Sequence, residues 1–282
     1  MAVGRPPIIT GLTTTTGKLM NLPETNKSLG QHWLTDLSAL GDIADAADIT
    51  ADDVIVEIGP GPGTLTQLLV KQAKQVIAVE FDAKLARELP RRVKADNLRV
   101  VTQDILSFDF TSVPAPYKVV ANIPYYLTSN LIRVMSESTN PPQTAVILIQ
   151  KEVAQRVSAK PGDLSLLSVT AQYYWEVSLG ELVPAALFTP PPKVDSQVLI
   201  MHYRPEPLFE DIDIKQFFRL VKAGFGQRRK TLLNSLSGGL HLDKPAVLSI
   251  CQSAGIDPSR RAQTLDLNEW NNLYQVIETI NT

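Results

Sequence analysis

The chain has little of what disulfide-bonded, membrane-spanning or metal-binding proteins need. Its 282 residues include one cysteine, Cys251, so an internal disulfide is excluded and a cytoplasmic location is expected. No run of about 18 apolar residues occurs, so no membrane span is expected. The histidines His32, His202 and His241 lie far apart and lack metal-ligand spacing with the cysteine, so no metal site is expected.

The chain also lacks a strong excess of either charge. Its net charge is −2, and 44% of its residues are hydrophobic, which indicates a folded globular protein rather than a general polyanion binder. Any nucleic-acid contact must then come from a local patch. The best candidate is the run Arg228, Arg229 and Lys230, with Arg219 and Lys222 shortly before it. A solvated helix face is the alternative interpretation of such a short run.

Apolar runs alternate with helical patterns over most of the chain, which predicts an α/β fold with a mainly parallel sheet covered on both faces. The seven predicted strands are Val54–Ile58, Gln75–Glu80, Arg99–Thr102, Lys118–Asn122, Thr144–Gln150, Glu176–Val183 and Ser196–Tyr203. After a Pro-containing linker at 204–208, the pattern is helical to the end. The predicted helices there are Ile214–Phe225, Arg229–Leu236, Pro245–Ala254 and Leu267–Thr279.

A glycine-rich turn follows the first of these strands. Gly59, Gly61 and Gly63 allow the backbone to approach a ligand closely. The dinucleotide-binding fingerprint would need a glycine at 64, where Thr64 stands. The spacing instead resembles that of S-adenosylmethionine-dependent methyltransferases: an acid, one residue, then Gly-x-Gly-x-Gly. A tight turn after a strand, with no ligand, remains the alternative.

Acidic residues follow the next two predicted strands. Glu80 ends the second strand 21 positions after Gly59, the spacing at which a carboxylate reaches ribose hydroxyls in nucleotide-binding α/β folds. Asp82 suits a helix cap as readily as a ligand. Asp104 follows the third strand. In the methyltransferases that this chain resembles, the acid at this position accepts a hydrogen bond from the cofactor's adenine amine. A turn or N-cap residue is the alternative interpretation.

The tetrapeptide Asn122-Ile123-Pro124-Tyr125 ends the fourth strand, where ligands bind in open α/β sheets. Asn122 supplies a side-chain carbonyl, Pro124 keeps the preceding peptide extended so that the Ile123 carbonyl points outward, and Tyr125 supplies an aromatic face. Two acceptors beside an aromatic ring suit the exocyclic amine of adenine. A strand end with a proline turn and a buried tyrosine is the alternative.

A proline-rich segment, 188–196, predicts a stiff extended loop. It would hold Phe188 to stack a base and Lys193 to meet a phosphate. A rigid connector whose Phe188 packs inward is equally compatible with the sequence.

Taken together, the segments resemble the ribosomal RNA adenine dimethyltransferase family, and specifically its housekeeping small-subunit branch. The resemblance runs from about residue 28 to the C-terminus. The segments that carry it are 29–34, the glycine loop, Glu80, Gln103-Asp104, Asn122–Tyr125, 188–196, 225–232 (Phe-Gly-Gln-Arg-Arg-Lys-Thr-Leu) and 261–265 (Arg-Ala-Gln-Thr-Leu).

The resemblance implies a Rossmann-like seven-stranded methyltransferase sheet with an antiparallel last strand and a small all-helical C-terminal domain. Residues 1–27 are expected to be a flexible extension, 28–204 the catalytic domain and 208–282 the RNA-binding domain. S-adenosylmethionine is the implied cofactor. The implied cofactor-binding residues are His32, Leu34, Gly59, Gly61, Glu80, Asp104 and Asn122. His32 departs from the family, which usually has Asn there, but a ring nitrogen can still form a hydrogen bond.

The implied reaction is dimethylation of N6 on two adjacent adenines in a hairpin near the 3′ end of small-subunit ribosomal RNA. The implied catalytic residues are Asn122, Ile123, Pro124, Tyr125 and Phe188, and the implied RNA-binding residues are Lys193, Arg228, Arg229 and Lys230. The expected partner is the RNA or a pre-30S particle, bound by a monomer. A non-catalytic RNA-binding assembly factor and a small-molecule methyltransferase are the rival functions; the second leaves the helical appendage unexplained.

Overall fold

A computed structural model describes residues 22–26 and 29–281 of the chain. The expected flexible extension therefore lies mostly outside the described residues. The strands are β1 (Trp33–Leu34), β2 (Val54–Ile58), β3 (Gln75–Glu80), β4 (Leu98–Thr102), β5 (Tyr117–Asn122), β6 (Thr144–Gln150), β7 (Trp175–Val183), β8 (Phe188–Thr189) and β9 (Ser196–Tyr203). The helices are α1 (Leu37–Ala46), α2 (Thr66–Gln72), α3 (Ala83–Arg92), α4 (Thr128–Glu137), α5 (Lys151–Val157), α6 (Leu166–Tyr174), α7 (Ile214–Phe225), α8 (Leu232–Leu240), α9 (Lys244–Ser253) and α10 (Leu267–Asn281).

Seven strands form one sheet in the order β4-β3-β2-β5-β6-β9-β7. The pairs among β4, β3, β2, β5 and β6 are parallel, whereas β9 runs antiparallel to both of its neighbours. The predicted α/β class, seven-stranded sheet and antiparallel last strand are confirmed. Four strands have the predicted bounds, and the other three begin one residue earlier, at Leu98, Tyr117 and Trp175. The two-residue strands β1 and β8 pair separately and were not predicted.

The central strands form because their apolar side chains are buried on both faces of the sheet. All five residues of β2 are buried, and alternate residues enter different cores: Val56 packs on the side of α4, and Ile55 on the side of α1 and α2. Each face therefore needs helices, which the connections between parallel strands supply. This arrangement brings the carboxyl ends of β2, β3 and β5 together at one edge.

The helices α7 to α10 build a second core, to which α6 contributes Tyr173. The Tyr173 ring lies 5.3 Å from that of Phe217, and Trp270 and Cys251 are fully buried in the same cluster. The helical C-terminal region is thus confirmed, while the boundaries at 204 and 208 stay a prediction. No helix among the described residues is long and apolar enough to cross a membrane.

One predicted helix was placed wrongly: α8 begins at Leu232, not Arg229. The Lys230 N–H donates to the Gln227 carbonyl in a turn, and Thr231 is extended with φ −70° and ψ 161°. The first N–H groups of α8, at Leu232 and Leu233, donate to the carbonyls of the loop that precedes residues 262–264. These partners satisfy the helix N-terminus where it begins, so the basic run lies in a turn.

Candidate active site

A cavity of about 240 Å³ opens at the carboxyl ends of β2, β3 and β5. The chain leaves β2 toward β3 on one side, and β5 lies on the other side, so the cavity is at the point where strand order reverses. All of the predicted catalytic and cofactor-binding residues line it. They are His32, Leu34, Gly59, Gly61, Glu80, Asp104, Asn122, Ile123, Pro124, Tyr125 and Phe188. The fold therefore collects residues that are up to 156 positions apart into one site.

The glycine loop forms one wall of the cavity. Gly61 has φ +54°, and a Cβ there would lie 2.7 Å from a ring carbon of Trp33. No side chain fits at that position without displacing the indole. The Trp33 ring is itself fixed, because its Nε1–H donates to the Pro23 carbonyl at 2.8 Å. Residues 22–26 thus help to shape the glycine loop.

Glu80 lies at the end of β3 and is only 6% exposed. Its two carboxylate oxygens accept from the backbone N–H groups of Gly61, at 3.0 Å, and Asp82, at 2.9 Å. Burial raises the pKa of Glu80, and these hydrogen bonds oppose the rise. Each oxygen keeps a second lone pair for a ligand hydroxyl. Glu80 therefore supports the glycine loop as well as facing the cavity, a dual role that the sequence did not reveal.

Asp104 is exposed, and its Oδ1 accepts from the Leu106 N–H at 3.0 Å. It is the N-cap of a short 3₁₀ turn and also lines the cavity. The cap and the ligand interpretations of Asp104 are therefore compatible, since Oδ1 caps the turn and Oδ2 is left for a ligand. Asp82, by contrast, caps α3 through bonds from Lys84 and Leu85 and does not line the cavity.

Asn122 ends β5 beside Gly59, and its side chain makes no hydrogen bond to another described residue. The Ile123 carbonyl likewise accepts none within the described part of the chain, although the Ile123 side chain is buried. Pro124 is extended, with φ −56° and ψ 134°. Two acceptor oxygens without protein donors thus lie on consecutive residues beside the cavity, where they are free to accept hydrogen bonds from a ligand.

Tyr125 follows in a 3₁₀ turn and is half-buried. Its hydroxyl lies 2.9 Å from Oγ of Ser196, which is fully buried at the start of β9. Burial raises the pKa of Tyr125, so the phenol stays neutral at physiological pH. The hydrogen bond fixes the hydroxyl end of the ring and ties the Asn122–Tyr125 segment to the end of the proline-rich loop.

The proline-rich loop contributes Phe188 to the lining of the cavity. Phe188 on β8 pairs with Leu34 on β1, and both side chains are buried, at 4% and 1% exposure. His32 Nδ1 lies 2.7 Å from the Pro190 carbonyl. A carbonyl only accepts, so Nδ1 carries the proton and the neutral ring keeps an acceptor at Nε2. The inward-packed alternative describes Phe188 in this structure, and its stacking role stays a prediction.

The four predicted RNA-binding residues lie outside the cavity. Lys193 is exposed on the proline-rich loop, five residues after Phe188. Arg228, Arg229 and Lys230 are exposed in the turn between α7 and α8. Each of the four forms no ion pair with a described residue. They stay predictions as RNA contacts.

Three further residues that line the cavity, Glu57, Phe81 and Tyr126, were not among the predicted site residues, although Glu57 is the acid that precedes the glycines in the predicted motif. Glu57 is 1% exposed within β2, its Oε2 has no protein partner among the described residues, and burial raises its pKa to about 8. An acid inside an otherwise apolar strand was the available signal. Phe81 and Tyr126 are 61% and 64% exposed at the cavity mouth. Aromatic residues directly after Glu80 and Tyr125 gave only a weak signal, because sequence does not report exposure.

Comparisons with known proteins agree with this geometry. The family model described as "Ribosomal RNA adenine dimethylase" matches residues 23–279. A protein named "Ribosomal RNA small subunit methyltransferase A" from Dehalococcoides mccartyi (strain CBDB1) is 44% identical over 251 residues, covering 88% of this chain and 86% of the relative. A protein of the same name from Clostridioides difficile (strain 630) is 41% identical over 263 residues, covering 90% and 91%.

Two solved structures share the fold over most of their length. A dimethyladenosine transferase from Plasmodium falciparum superposes with a TM-score of 0.76 at 27% identity, covering 89% of this chain and 98% of that one. The 23S rRNA methyltransferase ErmE superposes with a TM-score of 0.70 at 29% identity, covering 87% and 99%. The similarity therefore includes the sheet with its cavity and extends into the C-terminal helices.

Proposed function

Because this chain belongs to the ribosomal RNA adenine dimethylase family, we propose that it transfers methyl groups from S-adenosylmethionine to N6 of adenine in small-subunit ribosomal RNA. The targets are two adjacent adenines in a hairpin near the RNA 3′ end, and each receives two methyls during small-subunit biogenesis. Relatives at 44% and 41% identity that bear the name of a small-subunit RNA methyltransferase support the choice of RNA.

The cavity residues fit S-adenosylmethionine. Glu80 is a buried carboxylate with lone pairs left for ribose hydroxyls, and Asp104 can accept from an adenine amine. The loop at Gly61 has no room for a side chain, because the Trp33 ring packs against it and keeps the loop in this shape. Gly59, His32, Leu34 and Asn122 complete the proposed set. When bound, the cofactor supplies an electrophilic methyl group.

The observation that carries the proposal is the pair of acceptors at Asn122 and Ile123. The N6 lone pair of adenine is delocalised into the ring, so the amine is a poor nucleophile. Asn122 Oδ1 and the Ile123 carbonyl accept hydrogen bonds from its two N–H groups. These bonds let N6 pyramidalise and turn its lone pair toward the cavity. Fixed dipoles of this kind stabilise charge that develops in the transition state. The methylated N6 is cationic and acidic enough to lose its proton without a strong base.

The adenine must leave its stack to reach the cavity. Tyr125 serves as the platform for the ring, because it follows the two acceptors directly and its hydroxyl is held by Ser196. Phe188 contributes to the lining from the proline-rich loop. Tyr126, which is 64% exposed at the mouth, is positioned to stack on a flanking base. Each such contact contributes roughly 1–3 kcal/mol.

Residues 28–204 are proposed to carry the chemistry, and residues 208–282 to capture the RNA. Lys193 meets a phosphate next to the reacting base, and the basic run 228–230 meets phosphates farther away. The exposure of these four cations, none of which pairs with a described acid, supports contact with an anion. The protein is proposed to act as a monomer.

The test is incubation with labelled S-adenosylmethionine and small subunits that lack the modification, with the product mapped by mass spectrometry. Four methyl groups on two adjacent adenines are expected, and Asn122→Ala serves as the control for site-specific transfer. Binding of the subunit with no transfer by the wild-type protein would instead establish the rival function, a non-catalytic assembly factor. Calorimetry with the cofactor alone separates loss of cofactor binding from loss of transfer.

A further inference from the structure

The positive charge of this protein is concentrated around α7 and α8. Residues 214–240 contain six Lys or Arg and no Asp or Glu. The remainder carries a net charge of −8, since 21 basic and all 29 acidic residues lie outside this segment. An anionic partner is therefore drawn to this segment and repelled by much of the rest.

Three of the six cations line a groove between the two helices that shares no residue with the methyl-transfer cavity. Lys215, Arg219 and Lys222 are exposed and spaced at i, i+4 and i+7, so they follow one face of α7. They span about 10 Å along the helix axis.

These cations are not neutralised by the protein. Arg204 pairs with Glu176 at 2.9 Å, and Arg260 forms a charged pair with Glu269, but no described acid pairs with Lys215, Arg219 or Lys222. Unpaired cations aligned on one face repel each other slightly. An arrangement of this kind is stabilised when a polyanion binds.

The floor of the groove lies where α7 and α8 pack against each other. A Cβ at Gly239 would lie 2.6 Å from Cβ of Ala223, so α7 and α8 approach too closely there for any larger residue. Ser235 is 3% exposed, lines the groove, and its Oγ has no partner among the described residues. A buried hydroxyl without a partner is costly unless a ligand accepts its proton.

We propose that this groove binds the sugar–phosphate backbone of the ribosomal RNA. Lys215, Arg219 and Lys222 pair with phosphates of the RNA backbone, and the Ser235 hydroxyl donates to a phosphate oxygen. The groove is continuous with the basic turn 228–230, because Gln227 lines it. The inference rests on the proposed function for the identity of the polyanion, but the groove would hold the RNA independently of the methyl-transfer cavity.

The test compares two charge-matched triple variants. Lys215→Gln with Arg219→Gln and Lys222→Gln removes the groove cations. Lys71→Gln with Arg91→Gln and Lys94→Gln removes three exposed cations on and beside α2 and α3, far in sequence from the groove. Binding of unmethylated small subunits is measured from about 50 to 200 mM salt, and cofactor affinity by calorimetry.

The groove variant should bind about 10–100-fold more weakly near 0.15 M salt, with a log–log salt slope shallower by roughly 2–3, while the control triple changes little. Cofactor affinity should be unchanged in both. Equal losses in the two triples would reduce the effect to overall charge and overturn the proposal. So would an unchanged slope in the groove variant.

Ser235→Ala provides a second test, because the free protein loses no hydrogen bond when the hydroxyl is removed. RNA affinity should fall roughly tenfold while the unfolding midpoint stays the same or rises. Wild-type affinity in this variant would exclude Ser235 from the site. Salt-dependent binding without methyl transfer by the wild-type protein would contradict the proposed function but leave the groove standing.

Discussion

Glu57 should make the stability of this protein depend on pH in the direction opposite to that of an ordinary carboxylate. It lies inside β2, is 1% exposed, and its Oε2 has no protein partner among the described residues. Burial raises its pKa from 4.5 to about 8 in the folded state. The perturbation that isolates it is Glu57→Gln, which keeps the shape and removes the ionisation.

The sign follows from proton binding. Between pH 4.5 and pH 8 the folded protein holds a proton on Glu57 that the unfolded chain has released. The free energy of unfolding therefore falls as the pH rises through this window, and the stabilisation is fully present only below pH 4.5. One pKa unit corresponds to about 1.4 kcal/mol. Glu57 should therefore lower the free energy of unfolding by about 2–3 kcal/mol as the pH rises from 5 to 7.5.

The assay is urea unfolding of the wild type and Glu57→Gln at pH 5, 6, 7 and 7.5. Other groups, including Glu80, titrate in both proteins, so the informative quantity is the difference between the two unfolding free energies. Relative to the wild type, the variant should gain about 2–3 kcal/mol across the range. Glu206→Gln, a change of an exposed carboxylate outside the helices and strands, is the matched control and should follow the wild type.

Parallel stability curves for the wild type and Glu57→Gln would refute the argument, because they would mean that Glu57 ionises in the folded protein as it does in the unfolded chain. A difference that grows toward low pH would also refute it, since this would indicate a stabilised carboxylate. Either result would mean that burial does not raise the pKa of Glu57 in the folded protein.

Three further outcomes are expected. Asn122→Ala should slow methyl transfer roughly 10²–10³-fold at saturating cofactor, because an acceptor is removed where charge develops; single-turnover kinetics near the wild-type rate would exclude the role. Glu80→Ala should weaken S-adenosylmethionine binding by about 1.5–3 kcal/mol in calorimetry. The same change should lower the free energy of unfolding, since the Gly61 and Asp82 N–H groups lose their acceptor; an unchanged dissociation constant removes Glu80 from the site. Replacing 228–230 by alanine should leave cofactor affinity intact. The salt slope of subunit binding should become shallower by about 0.7–0.9 for each phosphate that the variant no longer binds. A wild-type slope would mean that the run is a solvated turn with no phosphate contact.

The sequence determined the sheet because its strands are short, nearly continuous apolar runs separated by helical patterns. Burial on both faces leaves such runs little choice of structure, so β2, β3, β6 and β9 have the predicted bounds. The glycine loop and Asn122–Tyr125 were also recognisable, because each follows a strand directly. Their meeting in one cavity follows from the parallel order of the strands.

Secondary structure was predicted wrongly, or missed, where a contact with a residue distant in sequence outweighs the local preference for helix or strand. The run 229–236 looked helical, but α8 begins at Leu232, where backbone carbonyls from the loop before residues 262–264 satisfy its first N–H groups. The strands β1 and β8 are too short to have a period and exist because they pair with each other. In neither case is the deciding partner near in sequence.

Only the tertiary structure decided the state of the individual polar groups. The sequence does not show that Glu57 is buried with an unpartnered oxygen, or that the oxygens of Glu80 hold the glycine loop. The same is true of Ser235 beneath the groove and of Ser196 beneath Tyr125. Side-chain type sets which hydrogen bonds and charges are available, but burial and distance set their energy, and both depend on residues brought together by the fold.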